Sequence, residues 1–214
     1  MKKINEISPS FICIAGDMTV KNGKNTDSVL NFLRRLSVRY PVYYSPGNHE
    51  IRMPEYDDYR YRVKEMGIHY LENQTVRTGN NICIAGLDLP EYWYHKCWQK
   101  REYSAKKVTE QLGCPQTGQF TIMLAHNPEY FPWYAEWGAD LVLSGHIHGG
   151  IARLPFVGGV LSPSLRLFPK YDAGQFEQKG TYMVLSRGLG LHHIKFRFFN
   201  LPEISAIKIK KTVH

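Results

Sequence analysis

The chain has 214 residues, 43% hydrophobic and 21% charged, which excludes wholesale disorder and supplies one sizeable core, so a single domain over 1–214 is expected. No run approaches the roughly 20 consecutive apolar residues of a membrane-spanning helix, and Met1 to Ser10 carries lysines with no apolar h-region behind them; neither a membrane span nor a secretory signal is expected. Lys and Arg number 27 against 19 Asp and Glu, and the net charge of +8 favours anionic partners.

Phe11 to Ala15 is an apolar, partly β-branched run that passes straight into Gly16-Asp17, as a buried strand does at its end. Over Thr26 to Arg39, Val29, Phe32, Leu33 and Leu36 recur at i, i+3, i+4 and i+7, which predicts an amphipathic helix. Pro41 to Ser45 is a second strand, opening into Gly47-Asn48-His49-Glu50. A second helical stripe, Tyr56, Tyr59, Val63 and Met66, follows Pro54 and stops at Gly67. Cys83 to Gly86 reads as another strand. Thr121 to Ala125 runs into His126, a short helix is expected over Pro128 to Trp137, and Asp140 to Ser144 runs into Gly145-His146-Ile147-His148. In the last third Tyr182 to Ser186, Ile194 to Phe199 and Ile204 to Lys210 follow one another without helical spacing, which predicts antiparallel strands. Alternating lysines in the last of these assign part of the positive charge to a solvated strand face. Cys13, Cys83, Cys97 and Cys114 lack Cys-x-x-Cys spacing and are read as reduced thiols of an intracellular protein.

In an open α/β sheet ligands bind beyond the carboxyl ends of the strands, where Asp17, Asn48, His49, His126, His146 and His148 all fall. Carboxylate, amide oxygen and imidazole without thiolate suit a borderline divalent cation such as Mn²⁺, Fe²⁺ or Zn²⁺, whereas a structural zinc site would be rich in cysteine. Gly16, Gly47, Gly145, Gly149 and Gly150 allow tight turns and close backbone approach to a metal or phosphate.

Gly16-Asp17, Gly47-Asn48-His49-Glu50, His126-Asn127-Pro128 and Gly145-His146-Ile147-His148-Gly149-Gly150, in this order, resemble the calcineurin-like metallophosphoesterase family. Ser186-Arg187-Gly188-Leu189-Gly190, followed by Phe199-Asn200-Leu201-Pro202-Glu203-Ile204, is similar to the C-terminal signature of a bacterial subgroup of it. The resemblance implies an α/β fold of the αββα sandwich type, with mixed sheets flanked by helices. It implies two divalent ions: Asp17 bridges both, Asn48, His126 and His146 complete one site, and His148 belongs to the other. Hydroxide generated between the ions attacks phosphorus in line. His49, beside the ligand Asn48, meets the substrate and protonates the leaving oxygen or stabilises its charge, so His49 and Asn48 are the catalytic pair.

The chain departs from that pattern in one respect. Family members open with a strand ending in Asp-x-His, and residues 1 to 16 contain neither Asp nor His. Met1 to Pro9 resembles the end of the family's first helix, so the first strand is expected to be missing and the domain N-terminally incomplete. Three accounts follow, in order of preference: a longer protein whose upstream segment, and any anchor it carries, lies outside this sequence; a short variant that holds one metal or recruits His95, Asp88 or Glu91; and a catalytically silent module that binds metal or phosphate.

The leading functional reading is hydrolysis of a small phosphomonoester or phosphodiester. The alternative is a membrane-surface hydrolase of a nucleotide-linked lipid, of pyrophosphatase type. Two aromatic segments, Glu91 to Trp98 and Tyr130 to Trp137, are candidate walls beside the metals, with ordinary core packing as the competing reading. Dedicated nucleic-acid binding is not expected, because the basic residues are scattered rather than gathered in one stripe.

Overall fold

The structure is a computed structural model and describes residues 1–94, 103–150, 152–154, 158–161, 169–190 and 200–210. The first half builds a small parallel sheet in the order β1-β2-β3, from Ile12–Ala15, Val42–Ser45 and His69–Tyr70. A larger six-stranded mixed sheet follows the order β10-β11-β7-β6-β5-β4. Its strands are Gln74–Arg77 (β4), Ile82–Leu87 (β5), Phe120–Ala125 (β6), Leu141–Ser144 (β7), Gly174–Gln178 (β10) and Thr181–Leu185 (β11). β5, β6, β7 and β11 run parallel, and the two edge strands are antiparallel to their neighbours. A hairpin of Ala152–Leu154 (β8) and Gly158–Leu161 (β9) stands apart.

Three layers of apolar contact make this an αββα sandwich. Between the sheets, Tyr43 and Leu71 meet Ile84, Ile122, Leu124 and Leu141. Outside the small sheet lie three helices, Lys2–Ile7 (α1), Thr26–Ser37 (α2) and Tyr56–Glu65 (α3). α2 buries Val29, Leu30, Leu33 and Leu36, and α3 buries Tyr59 and Val63, so both expected stripes face the sheet. Gly67, at φ 75, ends the α3 segment in a left-handed conformation that glycine adopts without strain. Outside the large sheet, Ala105–Leu112 (α4) and Phe131–Trp137 (α5) pack Val108, Phe131, Tyr134 and Trp137 onto Ala85, Leu87, Met123 and Val142.

The C-terminal expectation is corrected. β11 is a strand, but it pairs parallel to β7 and takes its antiparallel partner from Gly174–Gln178, not from later residues. Ile204 to Lys210 forms no strand: Ile204, Ile207 and Ile209 are exposed, so the alternation of Ile207-Lys208-Ile209-Lys210 marks neither a buried face nor a ladder. Ile194 to Phe199 lies outside the described residues.

The second aromatic segment is core rather than wall, since Phe131, Tyr134 and Trp137 are buried under α5. In the first, Trp93 is buried and its carbonyl accepts from Asn127 and Tyr130, while Tyr92 is exposed. Residues 95–100 of that segment, with His95, Cys97 and Trp98, lie outside the described residues. Cys13, Cys83 and Cys114 are free thiols. No helix among the described residues is long and apolar enough to cross a membrane.

Candidate metal centre

The parallel strands β1, β2, β6 and β7 deliver their C-terminal ends to one place between the sheets. Asp17, His126 and His146 each offer a ligand atom there, and the three atoms lie within 4.8 Å of one another. Asp17 and His146 have φ of 56 and 67, and His148 has φ 53; a left-handed side-chain-bearing residue costs of order 1–3 kcal/mol and is found where the surroundings impose it. Gly16 and Gly47 make the close approach possible. A Cβ on Gly16 would sit 2.6 Å from the Gly47 backbone and 2.7 Å from His126 Nδ1, and one on Gly47 would strike the Asp17 carboxylate.

The Asp17 carboxylate is divided between two neighbours. The His49 backbone N–H donates to Oδ1 at 2.8 Å, and His126 Nε2 lies 3.0 Å from Oδ2. His126 Nδ1 is 2.6 Å from the Ala15 carbonyl and donates to it, which leaves the Nε2 lone pair turned toward a carboxylate oxygen without hydrogen-bond alignment. Two electron-rich atoms facing each other across a buried gap call for a cation or a proton. Burial alone would lower the His126 pKa, but the charge of Asp17 outweighs it and the imidazole titrates above its ordinary value. Burial would likewise raise Asp17, yet His126 above all holds it well below the usual carboxylate range. His146 is the opposite case: burial, then the neighbouring His126, push it down to about 3, so it is a neutral imidazole with a free lone pair.

Asn48 is buried, and its Oδ1 has no hydrogen-bond partner. An orphaned amide oxygen and an orphaned imidazole nitrogen beside a carboxylate are the donor set that a borderline divalent ion takes, so the residues present fit a metal. His49 stays outside this cluster. Its Nδ1 is 3.3 Å from the Thr19 carbonyl and 3.9 Å from Asp17 Oδ2, and its side chain is 28% exposed. His148 is half-buried and is not among the three clustered ligands. Of the substitute ligands considered, Glu91 is engaged by Arg52 at 2.9 Å, and Asp88, just after β5, has a carboxyl that burial and then Glu72 push up to about 7.

Two supporting groups carry no role in the sequence reading. Glu50 is fully buried and gathers the loops around the centre: Oε2 accepts from the N–H groups of Asp17 at 2.8 Å and Gly47 at 2.9 Å, and Oε1 from Thr19 N–H at 3.0 Å and the Tyr44 hydroxyl at 2.7 Å. Asn200, also buried, donates to the carbonyls of His148 at 2.6 Å and Gly150 at 3.0 Å and so holds the turn that carries His146 and His148. Glu203 anchors that segment, accepting from Arg187 Nε at 2.6 Å and Arg187 N–H at 2.9 Å. Glu50 follows Asn48-His49 directly, and its position as the one acid next to the cluster was the available signal; Asn200 is 50 residues from even its nearer partner and left none.

The profile of the calcineurin-like phosphoesterase family matches residues 1–150. The chain is 28% identical to the Bacillus subtilis metallophosphoesterase YkuE over 98% of its own length and 71% of that protein. It is 29% identical to a metallophosphoesterase of Aquifex aeolicus, covering 94% of this chain and 73% of the other. A Danio rerio protein described as a transmembrane protein with a metallophosphoesterase domain is 26% identical over 97% of this chain, which spans 47% of it.

Proposed function

This chain belongs to the calcineurin-like phosphoesterase family, and from that premise we propose that it hydrolyses small phosphomonoesters or phosphodiesters with the help of divalent metal. The observation that carries the reading is the gathering of Asp17, His126 and His146 within 4.8 Å, with the orphaned Asn48 oxygen on the loop whose neighbours Gly47 and His49 both meet Asp17. Asp17, Asn48, His126 and His146 would hold one ion, and His148 would contribute to a second; Mn²⁺, Fe²⁺ and Zn²⁺ all suit these donors. When bound, such an ion supplies Lewis acidity, drawing charge from a phosphoryl oxygen and lowering the pKa of water.

The chain's own residues do the rest. Glu50 fixes the Asp17 and Gly47 backbones, so the carboxylate and the Asn48 amide keep their separation while charge develops on phosphorus. His49 is tethered through its backbone to Asp17 and its side chain is partly exposed, so a substrate can reach it; there it delivers a proton to the leaving oxygen or shares one with it. The free thiols of Cys13, Cys83 and Cys114 support an intracellular setting.

His49→Ala tests the assignment. With bis(p-nitrophenyl) phosphate and Mn²⁺, turnover should fall by about 10²–10⁴-fold at unchanged metal content per chain. Loss of metal with unchanged activity per occupied site overturns it. Metal and phosphate binding with no turnover in the parent chain would identify a silent binding module.

One observation favours the membrane-surface alternative. Leu201, Ile204, Ile207 and Ile209 are exposed, in the same stretch as Lys208 and Lys210. Cosedimentation with anionic liposomes separates the two readings.

A further inference from the structure

Behind Glu50 lies a further layer of buried polar groups, contributed by β2 and α3. The Tyr44 hydroxyl, on β2, donates to Glu50 Oε1 at 2.7 Å, and the Tyr59 hydroxyl, on α3, lies 3.0 Å from that of Tyr44. Glu50, Tyr44 and Tyr59 are all fully buried, so bulk water does not compete for these bonds.

Proton counting gives the chain a direction. Both Glu50 oxygens accept backbone N–H groups, Oε2 from Asp17 and Gly47 and Oε1 from Thr19, so the carboxylate is the acceptor and Tyr44 the donor. A phenol has one proton. Tyr44 spends it on Glu50, so in the contact between the two hydroxyls Tyr59 donates and Tyr44 accepts. The bonds therefore run one way, from α3 through β2 to the carboxylate, and each polarises the next.

The far end of the chain is pinned. Glu72, just beyond β3, accepts from the Tyr56 hydroxyl at 2.8 Å, from Lys64 Nζ at 3.0 Å and from Arg60 Nη1 at 3.1 Å. Tyr56, Arg60 and Lys64 recur every fourth residue along α3, so one carboxylate sets how the helix is turned about its axis, and with it where the Tyr59 hydroxyl stands. The near end is the pair of loops that bring Asp17 and Asn48 to the centre, since Glu50 accepts from the N–H groups of Asp17 and Gly47.

We propose that Tyr59 and Tyr44 are positioning residues of the metal centre, relaying the seating of α3 through Glu50 to the loops that carry Asp17 and Asn48. This rests on the metal reading of the site and couples to it a helix that supplies no ligand.

The test is a double-mutant cycle on the full chain with Tyr44→Phe and Tyr59→Phe, which keep both rings in the core, read by calorimetric Mn²⁺ titration. Each single variant should bind Mn²⁺ about fivefold more weakly, as for groups one step behind those that hold the ligands. The double variant should lose no more than Tyr44→Phe alone, because without the Tyr44 hydroxyl Tyr59 has no route to Glu50. In the metal-free chain, amide exchange at Asp17 and Gly47 should quicken about fivefold in either variant while Ile84 and Met123 keep the parent's protection. Single losses that multiply to about 25-fold in the double variant overturn the proposal, since the two hydroxyls would then act independently. So does Mn²⁺ affinity equal to the parent's, and so does unchanged exchange at Asp17 and Gly47, whatever the melting temperature does; a lower melting temperature alone would make the pair packing residues. A parent chain that takes up no Mn²⁺ overturns the metal reading, and the exchange of the Asp17 and Gly47 amides then decides the relay by itself.

Discussion

Replacing Glu50 by Gln changes one atom and should disable the centre without touching a metal ligand. The carboxylate accepts from three backbone N–H groups, those of Asp17, Gly47 and Thr19, and from the Tyr44 hydroxyl. An amide offers one acceptor oxygen. With its NH₂ in the Oε2 position two buried N–H donors, of Asp17 and Gly47, lose their partner; with it in the Oε1 position only Thr19 N–H does, because the Tyr44 hydroxyl can rotate toward Tyr59 at 3.0 Å. The second orientation is the milder and will be adopted. It orphans one buried donor, at about 1–3 kcal/mol, and reduces the surviving bonds from charge-assisted to neutral, roughly halving each. Relief of the buried charge returns part of this, leaving a net loss of about 3 kcal/mol. At about 2–4 °C per kcal/mol for a domain of this size, the melting temperature should drop by roughly 10 °C. Thermal unfolding by circular dichroism reads that shift, and Mn²⁺ titration should show weakened binding because the Asp17 and Asn48 loops are no longer tied together. A shift under about 3 °C with unchanged metal binding would refute the view of Glu50 as the organiser of the site.

Asp88 predicts a pH dependence. Its folded-state pKa of about 7 lies above the unfolded carboxyl value near 4, so the folded chain keeps a proton the unfolded chain has lost; this support is complete below about pH 4 and gone once pH has risen through about 7. Asp88→Asn should therefore stabilise the chain by about 2 kcal/mol at pH 8, after discounting for partial exposure, and by almost nothing at pH 4. Equal gains in melting temperature at both pH values would rule out the titration of Asp88 as the cause. Asn200→Ala removes the donors to the His148 and Gly150 carbonyls and should cost about 1–3 kcal/mol. Hydrogen exchange should quicken at residues 146–150 while β5 and β6 stay protected, and a uniform change across the fold would deny Asn200 a local role.

What the sequence made legible follows from where side-chain burial is periodic. β1, β2, β6 and β7 are short apolar runs that end at a polar ligand, and α2 and α3 carry clean stripes, so these appear where expected to within one or two residues. α4 was missed because its face toward the sheet buries Val108 alone, although Ser104 before it and Gly113 after it mark its ends. β4 escaped because it is a polar edge strand, Gln74–Arg77, with no buried face to read. The opposite error fell on Ile204 to Lys210, where the alternation of Ile207-Lys208-Ile209-Lys210 proved not to be a strand: alternation reports a half-buried ladder only when a partner strand supplies the other half. At the site, residues that would touch a metal were legible because their chemistry is rare at strand ends. Those that hold them were harder to read: Glu50 had only its place beside Asn48-His49 to mark it and Asn200 nothing, because a buried carboxylate or amide looks like any other in sequence until its partners are known.

The arrangement of those supports has a further logic. The ligands come from two sheets that touch mainly through apolar side chains, a contact that resists separation but fixes no atom to a tenth of an ångström. Each layer therefore has its own polar clamp. Glu50 binds the β1 and β2 loops to each other within the small sheet, and Asn200 binds the turn after β7 on the large one. The bond from His126 Nδ1 to the Ala15 carbonyl crosses between them, tying a β6 ligand to the end of β1 one residue before Gly16-Asp17. That crossing fixes the tautomer of His126 as well as its position, so the gap between its Nε2 and the Asp17 carboxylate is set by a bond that also joins the sheets, as Ser45 Oγ does farther along by donating to the Leu87 carbonyl. The left-handed conformations at Asp17, His146 and His148 are then held by clamps on both sides, and the ligand atoms of Asp17, His126 and His146 converge between the sheets.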